Sequence, residues 1–222
     1  MDSIKNNFRL DLIKCLSNTR LQSYKDLDEH FKNLKLISKL SPKIGILEIT
    51  LRNYLNDILA KKFNNDDWLL DYENESIKEQ INKLYKSKKR TPTKDELLSN
   101  LTLGTIIKII EDEKIEKYIF SDLDLKRFDK NNKNYIIING QKTNIFLDNK
   151  NKALLKLFLS LRNRASHFEN LLKMRNNKYS NISYKLYENC YISMNPRNLE
   201  RFLDDLISDF NEDLISRVKL CF

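Results

Sequence analysis

The sequence predicts an all-α protein, a helical bundle that carries one small β-hairpin near residues 135–147. Only three glycines and three prolines interrupt 222 residues, and so few breakers favour long helices joined by short loops. Apolar residues recur three and four positions apart along most of the chain, which is the spacing of a buried helical stripe. No internal repeat or long linker divides the sequence, so residues 1–222 are expected to form a single domain.

The first part of the chain is predicted to form three helices from this spacing. Residues 3–16 place an apolar side chain at every fourth position, and residues 20–39 continue with a second stripe. His30 lies among charged neighbours there and is expected to be exposed. Ser41-Pro42 is interpreted as the start of the third helix, because serine caps helices and proline is tolerated at the first helical position. This helix is expected to end near Phe63.

Three polar residues are grouped on that third helix. Glu48 and Arg52 lie four residues apart, and Asn53 follows. An ordinary intrahelical ion pair, worth about 0.2–0.5 kcal/mol, is one explanation of the grouping. The other is that these residues brace a functional helix packed against them.

The middle of the chain contains two capping boxes with a basic cluster between them. Ser76 with Glu79 and Thr93 with Glu96 each predict a helix start. The densest basic cluster of the sequence comprises Lys83, Lys86, Lys88, Lys89 and Arg90. Its members from residue 86 to residue 90 are candidate RNA-binding residues, because clustered cations bind a phosphate backbone. A solvated helix end explains the cluster equally well.

The last part of the chain contains the hairpin and three further helices. The isoleucine-rich segment before Asn139-Gly140 predicts a strand, since Asn-Gly suits a tight hairpin turn. Helices are expected over residues 148–173 and 184–194. Asn195-Pro196 is expected to cap the last helix.

The helix around residues 152–173 combines an apolar stripe with a polar face. The stripe consists of Leu154, Leu157, Phe158, Leu161, Ala165, Phe168 and Leu172. At about 100° per residue, the opposite face presents Asn163, Ser166, His167 and Asn170. Arg162 and Arg164 flank that face. Such a helix can anchor in a bundle while presenting a phosphate-binding surface.

Composition restricts the partners and the chemistry. Forty Lys and Arg against 31 Asp and Glu leave a net charge of +9, which favours a polyanionic partner. A/T-rich coding sequence, which also enriches Lys and Asn, explains this balance equally well. The cysteines at positions 15, 190 and 221 lack paired spacing and indicate buried thiols in a reducing cytoplasm. No apolar run is long enough for a membrane span or a signal peptide, so a cytoplasmic protein is expected.

The motif inventory leaves one candidate for acid–base chemistry. The sequence contains no Gly-rich phosphate loop, nucleophile elbow or paired Cys and His ligands, so no cofactor and no metal are expected. It contains two histidines. Since His30 is expected to be an ordinary helix residue, imidazole chemistry near neutral pH falls on His167.

The pattern Arg162-Asn163-x-x-x-His167 resembles the R-x4-H signature of HEPN domains (higher eukaryotes and prokaryotes nucleotide-binding). Residues 41–53 resemble the L-x-x-L-E-x-x-L-R-N helix of the Abi-like, abortive-infection branch of that superfamily. Further matching segments follow in the family's order: Asp67-Trp68, Thr91-Pro92, residues 101–104 and residues 161–169. The resemblance therefore extends over residues 20–215.

This resemblance implies a helical bundle that dimerises, so that two site helices form one composite cleft. It implies a metal-independent endoribonuclease of a defence or toxin system, held in check by a protein or RNA antitoxin. In this family the RNA 2′-hydroxyl attacks the neighbouring phosphate and leaves a 2′,3′-cyclic phosphate and a 5′-hydroxyl. Here His167 would transfer the proton, Arg162 would bind the phosphate, and Asn163 would orient either group. Arg164 would assist phosphate binding.

Two features depart from a simple match. Arg162 and His167 are five residues apart, about 140° around a helix, so Arg162 must reach around the helix or act across the dimer. The family often has a second histidine after the first, where this chain has Phe168, and the helical periodicity predicts that Phe168 points into the core.

Three other interpretations compete with a nuclease. Arg162 and His167 could simply solvate one face of the bundle. The chain could be a non-catalytic RNA-binding module, regulated by an antitoxin, that uses the basic cluster. A dimeric scaffold for protein–protein contacts is the third interpretation, and it predicts no affinity for RNA.

Overall fold

The computed structural model describes residues 11–121, 123, 135–138, 141–143, 147–175, 179–187 and 190–219. Its helices are α1 Leu12–Leu16, α2 Asn18–Leu21, α3 Leu27–Phe63, α4 Trp68–Asp71, α5 Glu75–Lys88, α6 Lys94–Asn100, α7 Leu103–Asp112, α8 Leu147–Ser166, α9 Leu199–Phe210 and α10 Glu212–Lys219. Its strands are β1 Tyr135–Ile138, β2 Gln141–Thr143, β3 Met174–Arg175, β4 Tyr179–Ser180, β5 Ser183–Tyr187 and β6 Cys190–Ser193. Short 3-10 turns cover Glu116–Tyr118 and Pro196–Asn198. The predicted fold class, mainly α-helical with a small hairpin, is confirmed.

The longest element is α3, whose 37 residues span about 55 Å at 1.5 Å per residue. Its N-cap is Asp26, which accepts the Glu29 N–H at 2.7 Å. The prediction of a helix start at Ser41-Pro42 is wrong, since the helix continues through Pro42. A proline inside a helix costs about 3 kcal/mol. Burial of apolar side chains on both sides of it, which include Leu40 and Leu47 at 0 % exposure, outweighs that cost.

The core lies where α3, α7, α8 and α9 pack together. The side chains of α8 that face it include Leu154, Leu155, Leu157, Phe158, Leu161 and Ala165. The predicted stripe of this helix is therefore confirmed up to Ala165. A buried Lys43 ties α3 to α9 through ion pairs with Glu200 at 3.0 Å and Asp204 at 2.6 Å.

The hairpin of β1 and β2 is confirmed, with Ile136 opposite Thr143, while Asn139-Gly140 lies outside the described residues. The helix predicted over residues 184–194 is wrong, because β5 and β6 lie there. These two strands join the hairpin in an antiparallel sheet of order β2-β1-β6-β5. Tyrosine and isoleucine suit a pleated surface. The pairing of β6 with β1 stabilises these strands, and no local pattern in the sequence reveals that pairing.

Several smaller predictions also need correction. The box at Ser76 and Glu79 is wrong, because Asn74 caps α5 by accepting the Ser76 N–H at 3.0 Å. The box at Thr93 and Glu96 is confirmed.

The N-terminal predictions are tested only in part. Cys15 is exposed rather than buried, and the side chains of the other two cysteines lie outside the described residues. Of the helix predicted over residues 3–16, the described part is helical over Leu12–Leu16. Among the helices that the structure describes, none is long and apolar enough to cross a bilayer.

Candidate functional site

The site helix α8 ends at Ser166 and does not reach residue 173 as predicted. It closes through two backbone hydrogen bonds: the Glu169 N–H donates to the Arg164 carbonyl at 2.9 Å, and the Phe168 N–H donates to the Ala165 carbonyl at 3.0 Å. This pair of bonds is a Schellman motif, which requires a left-handed residue directly after the C-cap. Phe168 takes that conformation, with φ of 53°.

Beyond this turn, the predicted inside and outside faces are exchanged. Phe168 was expected in the core, yet it is 52 % exposed. Asn170 was expected on the polar face, yet it is buried and donates to the Ser23 carbonyl at 2.6 Å. The physical reason is that the 100° rotation per residue ceases with the helix, so periodicity carries no information past Ser166.

A buried polar network anchors the backbone of this turn. Asn33 has 0 % exposure and donates to the Tyr24 hydroxyl and to the Glu169 carbonyl, both at 3.0 Å. Its side-chain oxygen accepts the Leu171 N–H at 2.8 Å. Burial raises the pKa of the Tyr24 hydroxyl, so this group stays protonated and can donate to the Phe168 carbonyl at 3.5 Å.

His30 belongs to the same buried region, which corrects the prediction that it is exposed. It is 2 % exposed, and its ring packs edge-on against the Tyr24 ring at 4.8 Å between centroids. The charged residues around His30 in the sequence occupy the other faces of α3. His30 is therefore a packing residue behind the turn, and His167 is the histidine that faces outward.

A groove of about 610 Å³ opens beside the turn. It is lined by Ser17, Thr19, Arg20, Ser23, Tyr24, Arg164, His167, Phe168, Glu169, Asn170, Lys173 and Asn181. The lining brings two arginines and one lysine to His167, against a single carboxylate, Glu169. That carboxylate is bound to Arg164 at 2.5 Å. The groove thus has a net positive lining.

His167 lies exposed at the edge of this groove. Its backbone N–H donates to the Asn163 carbonyl at 3.1 Å. Its imidazole forms no hydrogen bond or ion pair with any residue in the described part of the chain. Both ring nitrogens are consequently open to an incoming ligand, which a proton-transfer group requires.

The Arg162 side chain is bound by Glu48 and Asn163 rather than by residues of the groove. Its Nε donates to Glu48 Oε2 at 3.1 Å, its Nη2 to Glu48 Oε1 at 3.3 Å, and its Nη1 to Asn163 Oδ1 at 3.3 Å. Neither Arg162 nor Asn163 lines the groove. Within one copy of the chain, His167 and Arg164 therefore line the groove, whereas Arg162 and Asn163 do not, although Asn163 lies one helical turn before His167.

The three polar residues predicted as a group on α3, Glu48, Arg52 and Asn53, make different contacts. Glu48 bridges to the site helix through Arg162 and also lies 3.9 Å from Arg52. Arg52 donates to the Leu101 carbonyl at 3.3 Å. Asn53 is exposed, and its side chain has no hydrogen-bond partner among the described residues.

The basic cluster at the end of α5 is partly neutralised by one carboxylate. Lys88 contacts Glu96 Oε1 at 2.5 Å and Arg90 contacts the same oxygen at 2.6 Å. Their hydrogen bonds, with that of Arg90 the larger cause, lower the pKa of Glu96 to about 2. Lys86 and Lys89 are exposed, and no described carboxylate pairs with them.

A second cavity, of about 590 Å³, has the opposite character. Four carboxylates line it: Asp71, Glu73, Asp112 and Glu113. Such a lining repels a polyanion. Of these two cavities, the basic groove beside His167 is therefore the one whose lining suits a polyanion.

Sequence reasoning missed Arg20, Tyr24, Asn33 and Lys173 as parts of this site. Their contacts with the turn join segments more than 130 residues apart, so no local pattern could reveal the first three. Lys173 was assigned to the helix rather than to a groove. Comparison of the chain with protein-family models, with curated proteins and with solved structures gives no match.

Proposed function

We propose that this chain is an Abi-like HEPN endoribonuclease that cleaves RNA without a metal, as a cytoplasmic defence or toxin protein under the control of an antitoxin. The observation that supports the proposal most is the exposed imidazole of His167 at the edge of a groove with a net positive lining. An outward imidazole beside fixed cations combines a proton-transfer group with a phosphate-binding surface.

The proposed reaction needs two proton transfers and one charge-stabilising group. A neutral imidazole accepts the proton of the RNA 2′-hydroxyl while the 2′-oxygen forms a bond to the adjacent phosphorus. The bond from phosphorus to the 5′-oxygen then breaks, and a protonated imidazole supplies the proton that the leaving oxygen takes up. The proton that His167 accepts from the 2′-hydroxyl is the one it then gives to the leaving oxygen, so a single imidazole at each phosphate fills both roles in turn.

Arg162 is proposed to stabilise the charge that develops on the phosphate. A guanidinium has five N–H donors in a planar fork. Arg162 uses three of them within the described residues, on Glu48 and Asn163, which leaves two for a phosphate oxygen. Because Arg162 does not line the groove of its own copy, we propose that it meets the scissile phosphate at the dimer cleft.

The experiment that tests this function compares RNA cleavage by the unmodified chain with that by His167→Ala. Cellular RNA is incubated with each protein, and Ser166→Ala, an exposed neighbour in the same turn, serves as the matched control. We expect the unmodified chain and Ser166→Ala to cleave RNA and His167→Ala to lose the activity. Growth on induction is measured in parallel, because an antitoxin carried through purification masks cleavage. Equal cleavage by all three proteins would refute the proposal.

The alternative of a non-catalytic RNA-binding module through the basic cluster is less favoured, because Glu96 already binds Lys88 and Arg90. The two interpretations respond differently to Glu96→Gln. If the cluster binds RNA, this change frees two cations and strengthens binding. If the groove binds RNA, affinity stays the same, since Glu96 is not part of the groove lining.

A further inference from the structure

Phe168 is a large apolar ring exposed beside a charged groove. It is 52 % exposed and lines the groove next to His167. The left-handed conformation with φ of 53° is unfavourable for a residue with a side chain and usually belongs to glycine or asparagine. Neither folding of the core nor closure of the helix requires a phenylalanine at this position, so its ring is free to contact a ligand.

The backbone that carries the ring is held in place by hydrogen bonds. The Phe168 carbonyl accepts hydrogen bonds from Arg20 Nη1 at 3.0 Å and from the Tyr24 hydroxyl at 3.5 Å. The next residues are anchored through Asn33, which binds both the Glu169 carbonyl and the Leu171 N–H. A turn with this many anchors is preorganised, which lowers the entropic cost of binding a ligand at the ring it carries.

The surroundings of the ring indicate the class of ligand. Arg20, Arg164 and Lys173 line the same groove, so a ligand that covers the ring also meets cations. An apolar peptide would leave those cations unused. A nucleotide offers a flat π-system and a phosphate together, and bases stack on aromatic side chains whatever their sequence.

We propose that Phe168 is the floor of a base-binding subsite, on which one unpaired nucleobase stacks next to His167, so that the groove takes single-stranded RNA in preference to duplex. This inference rests on the proposed function. In a duplex both faces of a base are covered by neighbouring bases, so a ring on the protein surface has no free base to stack on. The subsite therefore selects loops, ends and single strands.

The test measures binding in a His167→Ala background, so that cleavage does not interfere. The probes are a short single-stranded RNA that carries one 2-aminopurine and a duplex of the same sequence. Phe168→Leu removes the π face but keeps an apolar side chain, and Phe168→Tyr keeps the face. Tyr118→Leu is the matched control, because Tyr118 is similarly exposed, at 49 %. Tyr118 is close in sequence to Glu116, whose carbonyl accepts a hydrogen bond from Asn151 of α8. Asn151 lies about 24 Å along the helix from His167, so Tyr118 is remote from the groove.

We expect Phe168→Leu to weaken single-strand binding by about 5- to 150-fold, the range measured for loss of one base–aromatic stack. Duplex binding stays weak and unchanged, and both Phe168→Tyr and Tyr118→Leu bind as the parent does. Binding by the parent also quenches 2-aminopurine emission, and Phe168→Leu reduces this quenching.

Failure of the inference and failure of the proposed function give different results. If the unmodified chain cleaves RNA through His167, but Phe168→Leu binds single strands as tightly as Phe168→Tyr does, the stacking inference alone is overturned. Equal affinity of the parent for the duplex and the single strand has the same consequence. If the unmodified chain neither cleaves nor binds RNA, the proposed function is overturned, and the inference with it.

Discussion

Arg20 and Phe168 are 148 residues apart in the sequence, yet the Arg20 guanidinium donates to the Phe168 carbonyl at 3.0 Å and to the His167 carbonyl at 3.4 Å. One cation thus fixes the backbone of the two residues that present an imidazole and an aromatic ring to the groove. It does so from a segment before the long helix α3, so the end of the site helix depends on distant parts of the chain.

Arg20→Ala is expected to lower RNA cleavage with little effect on stability. Arg20 is exposed, so the free energy of unfolding should fall by less than about 1 kcal/mol. Arg20 also lines the groove, and loss of its charged hydrogen bond to a bound phosphate would cost about 1.5–3 kcal/mol, so kcat/KM should fall by about 10- to 150-fold. Steady-state cleavage and urea unfolding measure the two effects. A loss of activity that only matches a loss of folded protein would contradict this prediction.

Asn33→Ala is expected to destabilise the whole fold. The change leaves the buried Leu171 N–H and the Glu169 carbonyl without their partner, and each unsatisfied buried group costs about 1–3 kcal/mol. We expect a loss of about 3 kcal/mol in urea unfolding. The control is Asn53→Ala, an exposed asparagine on the same helix, which should change stability by no more than about 0.5 kcal/mol. Similar values for the two variants would mean that the network under the turn is not a stabilising one.

Glu48→Gln tests whether Glu48 positions Arg162. The change removes the carboxylate that Arg162 contacts at 3.1 and 3.3 Å, and the partial exposure of Arg162 limits the loss of stability to about 1 kcal/mol. If positioning is the role of Glu48, cleavage falls in Glu48→Gln, and the double variant with Arg162→Ala is no worse than Arg162→Ala alone. Additive losses in this double-mutant cycle would assign the two residues independent roles.

The proposed composite cleft predicts complementation between two inactive variants. If Arg162 of one copy serves the phosphate held by His167 of the other, an equal mixture of Arg162→Ala and His167→Ala forms about half heterodimers, each with one intact site of two. The mixture should then recover about a quarter of the unmodified activity after subunit exchange. No recovery in a mixture shown to exchange would place the complete site within one copy.

Stability in acid should depend on Glu96. Its pKa is lowered from 4.5 to about 2 by Arg90 and Lys88. A carboxyl whose pKa is lower in the folded state stabilises the fold above its ordinary pKa, and this contribution is lost as the pH falls from about 4.5 towards 2. The melting temperature of the unmodified chain should therefore fall more between pH 6 and pH 3 than that of Glu96→Gln. Glu79→Gln, on the neighbouring helix, should behave like the unmodified chain.

Local patterns in the sequence predicted what local forces determine. The stripe from Leu154 to Ala165 and the capping box at Thr93 are set by spacing within one or two helical turns, and both are present. The path through Pro42 was not predictable, because burial along the whole of α3 outweighs a local signal to begin a helix. The strands at residues 183–193 likewise depend on pairing with β1, which lies about 50 residues earlier.

In the candidate site, too, the sequence predicted only those features that local forces determine. The outward position of His167 followed from helical periodicity, because this residue lies within one turn of the helix end. The exposure of Phe168 and the burial of Asn170 could not be predicted in this way. The Schellman motif that ends the helix has phenylalanine where glycine is usual, so the sequence does not indicate that the helix stops there. Arg20 and Asn33 could be assigned to the site only from three-dimensional contacts.

The chemistry of the cut ends tests the central claim most directly. A defined RNA oligonucleotide is incubated with the protein in EDTA, and the products are identified by mass spectrometry. The proposed mechanism predicts a 2′,3′-cyclic phosphate on one fragment and a 5′-hydroxyl on the other, both absent with His167→Ala. Fragments that carry a 3′-hydroxyl and a 5′-phosphate, or cyclic ends that persist in His167→Ala, would contradict it.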